Sequence, residues 1–238
     1  MTRYGWPQVA VYPAAALAAM VILPLGEMTL LPRWAIICAE SVLAGFLIWA
    51  LMFFRDPQRH SPPDTNLLLA PADGRVTDIE QVAANSFIQG PALRIGIFLS
   101  IFDVHINRAP CNVRIETINY KKGRYINAMN PESGRVNESN ELGLVRTDGP
   151  RDRLIVRQIS GAIARRIVCK TAAGKELAGG EKFGMIKFGS RTELYVPIRE
   201  ELNCLVQIGD KVKAGLTPLA KYESRGSRDV ETEDRSRG

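Results

Sequence analysis

Histidine is the scarcest titratable residue in this 238-residue sequence, with two copies, and cysteine follows with four. Cys38, Cys111, Cys169 and Cys204 are widely spaced and form no Cys-x-x-Cys pair, and His60 and His105 are too few to complete a zinc site with them. A zinc ribbon and a redox dithiol are therefore excluded, no metal is expected, and the cysteines read as reduced thiols. Formal charge is missing altogether from Tyr4 to Gly26, and from Trp34 to Phe54 it is confined to Glu40. Each run reaches the roughly 20 residues that a helix needs to cross hydrocarbon.

A cleaved signal peptide, a buried core helix and a pair of amphipathic helices are the alternatives to a membrane anchor. A second apolar run after the first disfavours the signal peptide. Pro13 and Pro24 interrupt the first run, so the second is the better span. Arg3 precedes the pair, Arg55 and Arg59 follow it, and Arg33 in the connection is offset by Glu27. That distribution favours a hairpin in a cell membrane with both ends cytoplasmic, which places the rest of the chain on the cytoplasmic face. The net charge of +6 fits either nucleic acid or an anionic membrane surface. With two apolar runs present, the membrane is the simpler partner and no nucleic acid is expected.

Four regions follow: an anchor at 1–54, a polar proline-rich linker at 55–66, a catalytic or binding body at 67–222, and a tail at 223–238 whose acids, Arg, Ser and Gly predict disorder. The body contains "GRVTDIEQV", "LRIGIFLS", "VRIETINY", "RLIVRQIS", "ARRIVCK", "GMIKFG" and "TELYVP", short Ile- and Val-rich segments cut by Gly, Pro, Asn and Asp. They predict a mainly β (α+β) fold, an antiparallel body preceded by hydrophobic helices. "VQIGDKVKAGLTPLA" (206–220) is similar to the barrel-sandwich-hybrid hairpins of lipoyl and biotinyl carrier domains.

Gly-Ser-Arg occurs twice, at Gly189–Arg191 and at Gly226–Arg228. The second copy lies in the polar tail, whereas the first joins two β segments, where a tight turn can fix the geometry of one peptide bond. Gly189 has no Cβ and can adopt strained backbone angles that leave its carbonyl open to the next hydroxyl. An ordinary β-turn explains the same residues. The scarce His105 falls in "FLSIFDVHINRAP" (98–110), flanked by Asp103, Asn107 and Arg108 at the end of an apolar segment, while His60 sits in the linker. Asp73 lies in the "PADG" turn.

Together "PADGRV", "FLSIFDVHINRAP" and "GMIKFGSR", in this order after "FFRDP", resemble the phosphatidylserine decarboxylase proenzymes of the short type. The resemblance spans residue 53 to about residue 220. Two departures are visible. Asn137, Glu138 and Ser139 stand where the family pattern has Asn-Glu-Arg, and Phe-Gly-Ser-Arg stands where longer forms have Leu-Gly-Ser-Thr.

The resemblance implies a self-processing enzyme. Ser190 Oγ attacks the Gly189 carbonyl, with His105 as base and Asp73 as its orienting carboxylate in a Ser-His-Asp arrangement. The resulting ester eliminates, and the former Ser190 becomes a pyruvoyl group at the head of the 190–238 chain. That chain stays associated with 1–189, and a homo-oligomer is left open. The pyruvoyl group is the covalent cofactor of decarboxylation, an electron sink built from the chain itself. His105 is also the candidate acid that returns a proton to the reacting carbon.

Phosphatidylserine in the bilayer is the implied substrate, since an anchored enzyme meets a lipid by lateral diffusion. Arg108, Lys187 and Arg191, with Arg55 and Arg59, are candidate contacts for the head group, against the alternative of solvated surface cations. Two other functions stay open: a membrane-tethered carrier or binding module with His105 as phosphate acceptor, and a pyruvoyl decarboxylase of a soluble amino acid.

Overall fold

A computed structural model of the chain describes residues 1–25, 32–130, 132–162, 166–187 and 189–223. The expected disordered tail lies, but for its first residue, outside the described residues. Two helices open the chain, α1 (Gln8–Leu25) and α2 (Arg33–Phe53), and a single turn, α3 (Ser133–Val136), comes later. Pro7 starts α1, its carbonyl accepting from the Ala10 and Val11 amides at 2.9 and 3.0 Å, and Pro13 and Pro24 stand inside it. Among the described helices, α2 alone is long and apolar enough to cross a membrane, so the first run yields a shorter helix than its uncharged length implied. The two pack together, with Tyr12 and Phe46 rings 6.3 Å apart. Away from that contact α2 presents Trp34, Ile37 and Val42 outward, Val42 at 72% exposure, an arrangement that suits hydrocarbon.

The body is built from strands β1 (Leu67–Leu69), β2 (Gly74–Asn85), β3 (Gly90–Leu99), β4 (Ile106–Arg108), β5 (Val113–Lys121), β6 (Ser139–Arg146), β7 (Arg153–Ile159), β8 (Ile167–Cys169), β9 (Glu176–Leu177), β10 (Lys182–Ile186), β11 (Ser190–Pro197), β12 (Leu202–Cys204), β13 (Lys211–Val212) and β14 (Pro218–Tyr222). Eight of them form one sheet in the order β13-β2-β3-β11-β7-β6-β5-β9, and two three-stranded sheets, β1-β14-β12 and β4-β10-β8, complete the body. All these pairings are antiparallel, as the alternating segments predicted. The period of two puts Ile95, Ile97 and Leu99 of β3 on one face with Leu194 and Val196 of β11 and Leu154 and Val156 of β7. Each such side chain contributes about 1.5–3 kcal/mol when buried, so the middle of the large sheet is its firmest part.

Residues 55–66 carry no helix or strand, yet they are fastened to the body. Asp56 pairs with Lys182 at 2.8 Å, Arg59 with Asp73, and Arg55 donates to the Phe102 carbonyl at 2.8 Å. The segment read as a linker is thus a docked strap.

Candidate active site

Two stretches of chain cross side by side from one sheet to another, and the site lies between them. β3 belongs to the large sheet, and after the turn at residues 100–103 the chain enters β4 in a small sheet. The return passage leads from β10 in that small sheet to β11 in the large one. Register locks the passages together at both ends: Ser190 and Arg191 stand opposite Leu99 and Phe98, while Gly184 and Met185 stand opposite Asn107 and Ile106. "FLSIFDVHINRAP" and "GMIKFGSR" are therefore antiparallel neighbours. His105, the residue before β4, sits beside the Gly189–Ser190 bond because its carbonyl accepts from the Ile186 amide at 3.2 Å.

Gly189 has φ +57, in the left-handed region that favours glycine. Its amide donates to His105 Nε2 at 3.2 Å, and His105 Nδ1 lies 3.0 Å from the Asp103 carbonyl. The carbonyl can only accept, so Nδ1 carries the proton and Nε2 presents a lone pair to the Gly189 peptide. The imidazole is fully buried, with the Phe53 ring 4.5 Å away at the end of α2. Burial pushes its pKa down to about 4, against the Asp103 carbonyl contact and the Asp73 charge, which act in the other direction. Ser190 is also fully buried, and among the described residues its Oγ has no hydrogen-bond partner. An unpaired buried hydroxyl costs about 1–3 kcal/mol, and here it belongs to the residue that follows a left-handed glycine.

The Gly189 carbonyl faces Gly161. A Cβ at position 161 would fall 2.1 Å from that oxygen, so the approach needs glycine. Asn137 braces this wall. Its Nδ2 donates to the Ser160 and Ile126 carbonyls, both at 2.8 Å, and its Oδ1 accepts from the Ile126 amide at 2.9 Å. Glu138 is buried, with Tyr120 Oη donating to its Oε1, and its carbonyl accepts from the Ser160 amide at 2.9 Å. Ser139, where the resembled pattern has arginine, is buried at the start of β6 and accepts from Arg157. A cleft of about 240 Å³ opens beside Gly189, lined by Phe98, Ser100, Ile101, Asn127, Ala128 and Ala162.

Asp73 does not reach His105. Arg59 grips its carboxylate with two hydrogen bonds, at 2.5 and 2.7 Å, and the Ala214 amide donates to Oδ1 at 2.8 Å. The orienting contact expected of Asp73 is made by the Asp103 backbone carbonyl, and Asp73 acts on the imidazole through its charge. Asp103 itself caps the 100–103 turn, its Oδ2 accepting from the Ser100 amide at 2.8 Å, and burial pushes its carboxyl pKa up.

The expected head-group cations are also engaged. Arg191 is buried on Asp78, Glu193 and Thr77 at 2.7–3.0 Å, in a space that Gly96 leaves open by lacking a Cβ. Arg108 is buried and donates to the Gly180 and Pro57 carbonyls. Lys187 is buried with Nζ on Gln8 Oε1 at 2.8 Å, which ties the start of α1 to the turn, and burial followed by repulsion from Arg166 and Lys170 pushes its pKa down. All three cations are thus occupied inside the fold. Sequence reasoning missed Gly161, whose signal was a glycine just past a β segment, and it placed Asn137 in the family pattern without giving it a role.

The arrangement fits acyl transfer within the backbone: a hydroxyl beside a glycine carbonyl, and a neutral imidazole whose Nε2 lone pair accepts from the amide of the same glycine. The phosphatidylserine decarboxylase family model matches residues 46–220. Two curated relatives, each named phosphatidylserine decarboxylase proenzyme, are 40% identical to the chain. The one from Symbiobacterium thermophilum aligns over 93% of this chain and 95% of its own length. The one from Nitrosomonas europaea has the same coverage.

Proposed function

The chain belongs to the phosphatidylserine decarboxylase family, and from that premise we propose that it cuts itself between Gly189 and Ser190 and then converts phosphatidylserine to phosphatidylethanolamine and carbon dioxide. The observation that carries the first step is the pairing of an unpartnered, buried Ser190 Oγ with a Gly189 amide held by His105 Nε2. Ser190 Oγ adds to the Gly189 carbonyl, its proton passes to His105 Nε2, and the peptide C–N bond breaks to leave an ester and a free amine on Ser190. Loss of the Ser190 α-proton then expels the Gly189 carboxylate. Tautomerisation and addition of water release ammonia, leaving a ketone on residue 190.

The residues fit a pyruvoyl group at that position. The precursor hydroxyl is already buried in place, and the cleft beside Gly189 gives an amine a path to it. The group supplies the electron sink that amino-acid decarboxylation requires. His105, already beside residue 190, is the group that returns the proton replacing carbon dioxide on the substrate. Both fragments stay in one body because β11 is paired with β3 along its whole length and with β7 on its other side. The Phe53 contact with His105 puts the chemistry at the end of the apolar span, where a bilayer lipid presents its head group. We place the body on the cytoplasmic face, from the arginines that flank the hairpin. Intact-mass analysis together with carbon dioxide release from phosphatidylserine vesicles tests the reading; a whole, unmodified chain in active material refutes it.

Gly161→Ala forces the scissile carbonyl to move. A misplacement of about 1 Å costs about 100-fold in rate, so release of the 190–238 fragment on a denaturing gel is expected to slow by that order. Gly90→Ala, where a Cβ meets nothing within 4 Å, matures at the unaltered rate.

Asp73→Asn strands the buried Arg59 guanidinium, and breaking such a pair costs about 3–5 kcal/mol. A lower Tm and slow maturation are expected. Adding Arg59→Gln recovers most of the Tm, while cleavage stays slow because the charge that favours proton acceptance at His105 is still missing.

A further inference from the structure

The rim of the cleft carries two apolar side chains that the chemistry does not use. Phe102 stands at the tip of the 100–103 turn, next to the cleft-lining Ile101, and is 62% exposed. The turn is a fixed display: Asp103 caps it through the Ser100 amide, and the Asp103 amide returns to the Ser100 carbonyl at 2.9 Å. On the facing loop Met129, also 62% exposed, follows the cleft-lining Ala128, in a turn held by the Met129 amide on Asn127 Oδ1 at 3.0 Å. Arg55 sets the depth of the first tip. Its guanidinium bridges the Met52 carbonyl inside α2, at 2.7 Å, and the Phe102 carbonyl, at 2.8 Å. Phe102 is thereby tied to the last turn of the helix that is long and apolar enough to cross a membrane. Lys122 and Arg124, both exposed, lie a few residues before Met129 and supply positive charge beside the second tip.

We propose that Phe102 and Met129 enter the interface of an anionic lipid bilayer and form the lips through which a lipid head group passes into the cleft beside Gly189. This rests on the proposed lipid substrate. Amphipathic tips flanked by cations bind at the level of the head groups, and a cleft mouth seated there receives a lipid with no need to lift it from the membrane.

The test uses the full chain reconstituted in phosphatidylserine–phosphatidylcholine vesicles with brominated acyl chains. In a chain whose Trp6, Trp34 and Trp49 are each replaced by Phe, so that the introduced residue is the sole tryptophan, Phe102→Trp fluorescence is expected to be quenched. Ser86→Trp is expected to be unquenched, since it lies at the opposite end of β3, about 30 Å away at about 3.4 Å per residue. Phe102→Ser combined with Met129→Ser should mature normally and lose about tenfold or more of its activity on vesicles, as expected when apolar area is taken out of an interface. Its activity on monomeric short-chain phosphatidylserine should be unchanged. Equal losses on both substrates, no loss on either, or an unquenched Phe102→Trp would overturn the proposal. Failure of the unaltered protein to decarboxylate either substrate, with Phe102→Trp still quenched, would instead remove the substrate reading and leave the insertion standing.

Discussion

Ser190→Ala is expected to give an intact 238-residue chain that releases no carbon dioxide from phosphatidylserine. The expectation follows from what the side chain does in the fold, which is little. Ser190 is the first residue of β11, and its backbone pairing with Leu99 survives loss of the hydroxyl. Among the described residues its Oγ has no hydrogen-bond partner, so alanine strands no buried polar group, and the variant should melt at or slightly above the temperature of unprocessed wild-type chain. Loss of function with the fold retained separates a chemical role from a structural one. Mass spectrometry decides the outcome: a processed 190–238 fragment from Ser190→Ala would show that the cut needs no hydroxyl at that position.

Much of this site could be read in the sequence because the two passages that form it are each continuous. "FLSIFDVHINRAP" and "GMIKFGSR" contain the strand ends, the histidine and the turn, and antiparallel pairing brings them together. The seven short apolar segments correspond to β2, β3, β5, β7, β8, β10 and β11. β6 escaped notice, although it lies between β5 and β7 in the large sheet, because it opens with Ser-Asn-Glu and carries Gly143. A Cβ at Gly143 would meet the Phe87 ring at 2.8 Å, so the residue that weakens the strand pattern is there for packing.

What failed was the assignment of partners to charged groups. Asp73 is a short-range candidate for any cation or imidazole in space, and only the fold shows that Arg59, fourteen residues earlier, occupies both its oxygens. Arg191, expected as a contact for the lipid head group, is likewise engaged inside the body. Its counter-charges, Asp78 and Glu193, come from β2 and from β11 itself. The contact between Phe53 and His105 was also invisible, since nothing in an apolar run says which of its rings will close a catalytic site.

His105→Ala is the variant that separates the base from its surroundings. General-base assistance contributes about 10²–10⁴-fold, so maturation should slow by that order while the protein remains folded around β4 and β10. In the unaltered protein, cleavage should stay level as pH falls through 6.5, the ordinary value for histidine, and decline only near 4, because the working form is the neutral imidazole and burial holds it neutral. The same shift has a consequence for stability. The unfolded chain takes up the His105 proton between those two values and the folded chain does not, so this group's contribution is destabilising below about 4, eases as pH rises, and is gone above 6.5. Hydroxylamine then identifies the stalled step, since it cleaves an ester and spares a peptide. If Nε2 activates Ser190 Oγ, the His105→Ala precursor forms the ester too slowly to accumulate and stays whole in hydroxylamine over the time in which the unaltered chain matures. Fragments at Gly189 under those conditions would mean that the hydroxyl attacks unaided, and His105 would then be left with the elimination step and the later proton transfer.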